Sequence, residues 1–239
     1  MRKNIVMILW GLVCGALASG AAAQSSTTKD VLERRATAQK EEQQKVDSKN
    51  ETYEKFLKAI KEDRAAEVEA MIKKGIDPEM STADGEPVLL LAAREGNQDV
   101  AEVLLKAGAK VDKASVYGDT ALMIAALSGR QKLVELFIKK GAEVNRKGWT
   151  PLIYAATGGQ DEIVDLLLDY LADIDARAPN GTTALMMAVR QGNDSTVKLL
   201  IDHGADVNLR NDNGATAMDW AKRSANSKII DYLRQAKAQ

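Results

Sequence analysis

The 239-residue chain is poor in the residue types that do chemistry and in those that build thick cores: one cysteine, one histidine and 4% aromatic content. A lone cysteine, Cys14, rules out an intrachain disulfide. With it goes any set of Cys and His at metal-ligand spacing. Scarce rings exclude a single deep core built on Phe, Tyr and Trp, so burial falls to Leu, Ile, Val and Ala. Charge of one sign is also missing: 33 basic residues face 34 acidic ones, which argues against a nucleic-acid binder. Neither a dinucleotide glycine fingerprint nor a phosphate-binding loop occurs. No nucleophile, base and orienting group share a motif, and His203 falls just before a helix-ending glycine, where a side chain meets the negative end of a helix. The chain is therefore expected to be no enzyme and to need no cofactor and no metal.

Residues 1–23 differ from the rest. Arg2 and Lys3 precede an apolar run from Ile5 to Ala18, followed by Ala21, Ala22 and Ala23. This order predicts a secretory signal peptide, cleaved after Ala23. The apolar run is short of the ~20 residues needed to span a bilayer, and no basic stop-transfer cluster follows. A lipid anchor on Cys14 is disfavoured by Val13, since a small residue should precede the cysteine. The expected destination is the bacterial periplasm, with secretion as the alternative and no membrane association after cleavage.

Residues 24–50 are dominated by Ser, Thr, Lys, Glu, Gln and Arg, with Val31, Leu32 and Val46 the only strongly apolar positions. Three such residues cannot cover a helix face, so a solvated, partly helical tether is predicted.

Further along, the sequence repeats itself. Gly85, Gly118, Gly148, Gly181 and Gly214 recur at spacings of 33, 30, 33 and 33 residues. Each opens a similar phrase, as in Gly-Asp-Thr-Ala-Leu-Met-Ile-Ala-Ala from 118, Gly-Trp-Thr-Pro-Leu-Ile-Tyr-Ala-Ala from 148 and Gly-Thr-Thr-Ala-Leu-Met-Met-Ala-Val from 181. An apolar helix comes next, then in most units a closing phrase such as Gly141-Ala142-Glu143-Val144-Asn145 or Gly204-Ala205-Asp206-Val207-Asn208. Thr120, Thr150, Thr183 and Thr216 stand where a hydroxyl can cap the first helix of a pair. The alanine pairs keep that helix thin, while the second helix carries larger apolar residues at spacings of three and four. Gly108, Gly141 and Gly204 end the second helix, where a left-handed residue is wanted. A period near 33 with these parts predicts an all-α repeat solenoid whose helix pairs are joined by short β-hairpin fingers.

The phrases resemble the ankyrin motif G-x-T-P-L-H-x-A-A, and the resemblance covers about 150 residues. It implies a domain over 51–239: an N-terminal cap repeat at 51–80, full repeats at about 82–114, 115–147, 148–177 and 178–210, and a C-terminal cap repeat at 211–239. Polar caps suit the ends of such an array.

Three departures stand out. Only two residues separate Asn145 from Gly148 where other units have five, so one finger lacks three residues. That is either tolerated drift or a functional notch. Leu171 stands in place of a closing glycine, which calls for a left-handed leucine or a different helix ending. The motif's histidine is replaced by Leu90, Met123, Ile153, Met186 and Asp219; because that imidazole ties repeats together in the family, this array is expected to rely on apolar packing instead. Met123, Met186, Met187 and Met218 are expected to fill the core rather than bind copper. The triplets at Asn50, Asn180 and Asn193 fit glycosylation signals but arise readily by chance.

The resemblance implies a function: holding a protein partner against the finger tips and the exposed side of the first helices. Carried onto this chain, that strip selects Arg94 in the first full repeat, Val116, Tyr117, Asp119 and Leu127 in the second, Trp149 and Thr157 in the third, and Arg177, Arg190 and Arg210 beyond. Val116, Tyr117, Leu127 and Trp149 place apolar and aromatic groups where the repeat requires none, which marks a candidate hot spot. The three arginines suit carboxylates on a partner. A non-catalytic adaptor or scaffold, monomeric when free, is the leading expectation, and an inhibitor or immunity-type protein is the alternative.

Overall fold

Four threonine hydroxyls set the beginnings of the inner helices. Oγ1 of Thr120, Thr150, Thr183 and Thr216 accepts from the backbone N–H of Met123, Ile153, Met186 and Asp219 at 3.4, 3.3, 3.4 and 3.2 Å. Each satisfies one of the donors that a helix start leaves unpaired. In the first full repeat Pro87 takes the capping position without a side-chain bond. The resulting helices are α3 (Val88–Glu95), α5 (Ala121–Leu127), α7 (Pro151–Gly158), α9 (Ala184–Gln191) and α11 (Ala217–Ser224).

The computed structural model describes residues 24–237, so the expected signal peptide and Cys14 lie outside the described residues. The chain divides into two units, one ending at Thr52 and one beginning at Tyr53. In the first, the described residues belong to α1, which runs Gln24–Lys61. This departs from the partly helical tether that the composition predicts. Neither Gly nor Pro interrupts residues 24–61, and Lys, Glu, Gln, Arg and Ala are strong helix formers. Local ties such as Gln43 Nε2 to Asp47 Oδ1 at 2.9 Å add to this. Residues 33–52 are all exposed, in keeping with a solvated segment.

In the second unit the inner helices stack in order, α3 on α5, α5 on α7, α7 on α9 and α9 on α11. A second layer stacks beside them: α2 (Ala65–Lys73), α4 (Gln98–Lys106), α6 (Gln131–Lys139), α8 (Asp161–Asp169), α10 (Asp194–Asp202) and α12 (Ser227–Lys237). The architecture is an all-α repeat solenoid. Its core is one continuous cluster, opening with Phe56, Leu57, Ile60 and Val68 and closing with Ile229 and Leu233. Met123, Met186, Met187 and Met218 are buried in it or beside it, as core filling requires. At the far end Lys222, Arg223, Lys228, Asp231 and Arg234 are all exposed, a polar cap.

Apolar packing is not the only tie between repeats, which corrects the expectation drawn from the missing histidine. Two hydrogen-bonded ladders run along the stack. In one, the residue before α4, α8 and α10 turns its side chain back to the preceding repeat instead of capping its own helix. Asn97 Nδ2 donates to Ile60 O (2.5 Å), Gln160 Nε2 to Leu127 O (3.3 Å), and Asn193 Nδ2 to Ala156 O (3.0 Å) and Thr157 O (3.2 Å). The Asn193 amide is thus engaged within the fold. In the other ladder, a side chain at the base of each finger accepts a backbone N–H from the next repeat. Glu79 takes Lys110 (2.5 Å), Asp112 takes Glu143 (3.0 Å), Asn145 takes Asp173 (2.8 Å) and Asp175 takes Asp206 (3.0 Å). Burial pushes the Asp175 carboxyl up, and the N–H it accepts pulls it back. Each bond contributes about 1 kcal/mol net, and an orphaned buried partner costs more.

Leu171 adopts the left-handed conformation at φ 60° that closing glycines adopt elsewhere, as at Gly141 with φ 87°. Its side chain is 82% exposed, so almost no burial offsets the strain. Leu171→Gly is expected to stabilise the unit by about 1 kcal/mol and raise Tm by about 2–4 °C. Thermal unfolding followed by circular dichroism checks this; an unchanged or lower Tm would contradict the strain assigned to Leu171.

Candidate functional site

Fingers form where an Asp-Gly, Tyr-Gly or Asn-Gly turn reverses the chain and a backbone pair closes behind it. Thr82 N donates to Glu86 O (2.7 Å), Ser115 N to Asp119 O (2.9 Å), Ala178 N to Thr182 O (2.9 Å) and Asn211 N to Ala215 O (3.0 Å). Gly85, Gly118, Gly181 and Gly214 hold the positive φ that these turns need. Among the described residues no such pair closes the short finger at 145–148. Loss of three residues removed the reversal itself.

Val116 and Tyr117, at the tip of the second full finger, are 70% and 87% exposed. They are the most exposed apolar groups beside the inner helices, and Val116 leans against Gly85 of the preceding finger closely enough that a Cβ there would lie 2.7 Å from its Cγ1. Trp149 is half-buried and meets Tyr154 edge to face, with ring centroids 6.3 Å apart and planes at 89°. Such a pair adds to the energy of burial alone. The Tyr154 hydroxyl donates to Asp119 Oδ1, which joins the second finger to α7. Tyr154 is a participant that the motif reading missed; its only signal was a phenol at an inner-helix position where the neighbouring repeats carry Ile124 and Met187. Burial and the Asp119 carboxylate together push the Tyr154 phenol well above the usual tyrosine range. Leu127 and Thr157 lie half-buried at the ends of α5 and α7, and the Thr157 hydroxyl is turned inward to Ile153 O at 2.7 Å.

Each of the four arginines meets a neighbour within the fold. Arg94 is paired with Glu86 at 2.6 Å, an ion pair whose alignment falls short of a hydrogen bond. Arg190 lies over the Trp220 ring, 6.0 Å from its centroid. Arg210 Nη1 donates to Gly214 O within its own finger at 2.7 Å. Arg177 Nη2 donates to Arg210 O at 2.8 Å and stands 3.8 Å from Asp212 Oδ1. Local partners have claimed Arg94, Arg190 and Arg210, because each has an acceptor or ring within one repeat.

A cleft of about 360 Å³ opens where the third finger is short. Arg146, Lys147, Gly148, Asp173 and Arg177 line it. His203, the sole histidine, sits away from it at the end of α10, with Nε2 2.9 Å from Asp165 Oδ1 of the preceding repeat. Among the described residues no three His, Cys, Asp or Glu side chains gather as metal ligands, and no helix is long and apolar enough to cross a membrane.

The raised Tyr154 pKa gives a test of the finger-to-helix tie. A phenol whose folded pKa exceeds its unfolded value of 10.0 stabilises the fold fully below that pH and loses the contribution as pH climbs past it. Tyr154→Phe is expected to cost about 1 kcal/mol near neutral pH, and the gap between variant and parent should narrow above about pH 10. Urea unfolding across that range checks both; a gap that stayed constant would detach Tyr154 from the effect.

Comparison with known protein families finds ankyrin repeats (3 copies) at residues 110–178 and 170–239, and an ankyrin repeat at 84–115. No curated protein matches the chain. The matched segments run without a gap from residue 84 to 239 and coincide with the stacked helix pairs from α3 to α12. The chain belongs to the ankyrin-repeat family and carries that family's module for protein–protein interaction.

Proposed function

We propose that the chain is a non-catalytic adaptor or scaffold of the bacterial periplasm, holding one protein partner on the strip formed by the finger tips and inner helices of its second and third full repeats. The observation that carries this reading is the exposed Val116–Tyr117 tip beside the half-buried Trp149–Tyr154 pair. An 87% exposed tyrosine contributes nothing to the fold, whereas aromatic anchors next to a rigid, partly desolvated neighbour are the groups that dominate binding energy. The frame behind them is held by the two hydrogen-bonded ladders, so little ordering entropy is left to lose on binding. Support for export comes from the sequence alone: Arg2 and Lys3, the apolar run from Ile5 to Ala18 and the alanines up to Ala23.

Two measurements test the proposal. Expressed in a Gram-negative host, the chain is expected in the periplasmic fraction with Gln24 as its first residue by mass spectrometry; an intact amino terminus retained in the cytoplasm would overturn the location. With the purified protein as bait against periplasmic extract, Tyr117→Ala combined with Trp149→Ala is expected to weaken retention of its partner about tenfold or more, with helical circular dichroism nearly unchanged. Undiminished retention would remove the strip as the binding surface. A partner whose own activity was abolished on binding would mark an inhibitor rather than an adaptor.

A further inference from the structure

The cleft at the short finger differs in charge from its surroundings. Three cations, Arg146, Lys147 and Arg177, line it against one carboxylate, Asp173. That carboxylate already accepts the Asp175 N–H at 3.1 Å. The Asn145 amide is spent in both directions, donating to Leu171 O at 2.7 Å and accepting from Asp173 N. Neither Arg146 nor Lys147 has an ion pair or hydrogen bond among the described residues. Many lysines elsewhere on the unit reach a carboxylate one turn away, as Lys106 does to Glu102 and Lys198 to Asp202. Arg177 is held by the Arg210 carbonyl, which aims its guanidinium, while 3.8 Å to Asp212 is too long for a hydrogen bond and leaves its charge only partly countered.

Position matters as much as charge. The room in the cleft exists because the finger lacks the three residues that other fingers use to reverse the chain. Gly148 precedes Trp149 directly, and Thr150, which caps α7, lines the cleft. The cleft therefore adjoins the start of the inner helix that carries Tyr154. A small free anion would use only the cations, whereas a polypeptide can lie across the aromatic pair and lower its acidic side chains onto them.

We propose that this cleft is a carboxylate-binding subsite, in which an Asp- or Glu-rich segment of the protein partner docks against Arg146, Lys147 and Arg177. Guanidinium and ammonium groups in a concave site form charge-assisted bonds to carboxylates that are shorter and stronger than neutral ones. The shortened finger is then a built notch. The proposal rests on the protein-binding reading above and adds to it the chemistry of what is bound.

The probes are a capped hexaglutamate peptide, a capped hexaglutamine peptide and inorganic phosphate, each titrated into the ¹⁵N-labelled protein. Hexaglutamate is expected to move the backbone amides of Arg146 to Trp149 and of Ala176 and Arg177, with affinity falling about tenfold as NaCl rises from about 50 to about 200 mM. Arg146→Ala with Lys147→Ala is expected to lower that affinity about tenfold or more. Lys147→Glu alone, at an exposed side chain, should abolish it while leaving the remaining amide spectrum in place. Shifts confined to other regions, equal binding of hexaglutamine, or unchanged affinity in both variants would overturn the subsite. Phosphate moving the same amides more strongly than hexaglutamate would overturn the peptide assignment in favour of a small-anion site. A silent titration beside partner retention that still falls with Tyr117→Ala and Trp149→Ala would sink the subsite and leave the protein-binding reading standing. The reverse pattern would do the opposite.

Discussion

Everything in the repeat unit depends on how closely one thin helix pair can lie on the next. No pair here has enough apolar surface to bury its own face, so each must borrow its neighbour's. The alanines at 92, 93, 125, 126, 155, 156 and 188 are fully buried, and their small side chains let the inner helices approach. The limit is visible at Gly158, where a Cβ would stand 2.3 Å from the Leu127 carbonyl oxygen. Close approach in turn brings the amides of Gln160 and Asn193 within bonding distance of the carbonyls of the preceding repeat, so the polar ladders are a product of the packing and then lock it.

Much of this was legible in the sequence because the signals are local. A threonine three residues ahead of the N–H it caps, a glycine at a helix end and an apolar stripe at helical spacing can each be read within one turn. The period near 33 then multiplied the evidence. Leu171 was legible as a problem for the same reason, and the structure resolved it into a left-handed leucine. The ladders were not legible. Their acceptors are backbone carbonyls or their donors backbone N–H groups, 28 to 37 residues away, and no residue type announces that a partner will be there. A recurrent amide or acid was visible at Asn97, Gln160 and Asn193 and at Glu79, Asp112 and Asn145, but each reads equally as a cap or a solvated loop residue. The N-terminal segment was misjudged for another reason: its composition speaks to burial, of which it has little, and less clearly to helix propensity, which it has in full.

The residues of the candidate strip divide along the same line. Val116 and Tyr117 could be identified because the motif leaves their positions free, so any large apolar group there is unexplained by the fold. Arginines at comparable positions carried less information. A long flexible cation finds whatever lies within its reach, and Trp220, Gly214 O and Glu86 lay within reach of Arg190, Arg210 and Arg94. Tyr154 worked the other way, being polar at a position reserved for apolar packing and made acceptable only by Asp119 on the neighbouring finger. Sequence position shows which side chains face outward; only geometry shows which of them are already occupied.

The ladders have one further consequence. Their bonds span between 28 and 37 residues, the shortest at the short finger, so the loop that must close to make one is of similar length throughout, and the entropy of closure, which grows only slowly with loop length, is nearly uniform along the array. Among the described residues the main helix–helix contacts run within a repeat or between neighbouring repeats. Assembly of this unit is then a matter of starting at whichever pair forms first and adding neighbours in either direction, each addition meeting the same entropic cost. The short finger opens the third full repeat and the strained leucine lies near its close, tied by Asn145 Nδ2 to Leu171 O at 2.7 Å, which makes that repeat the natural place for such growth to pause.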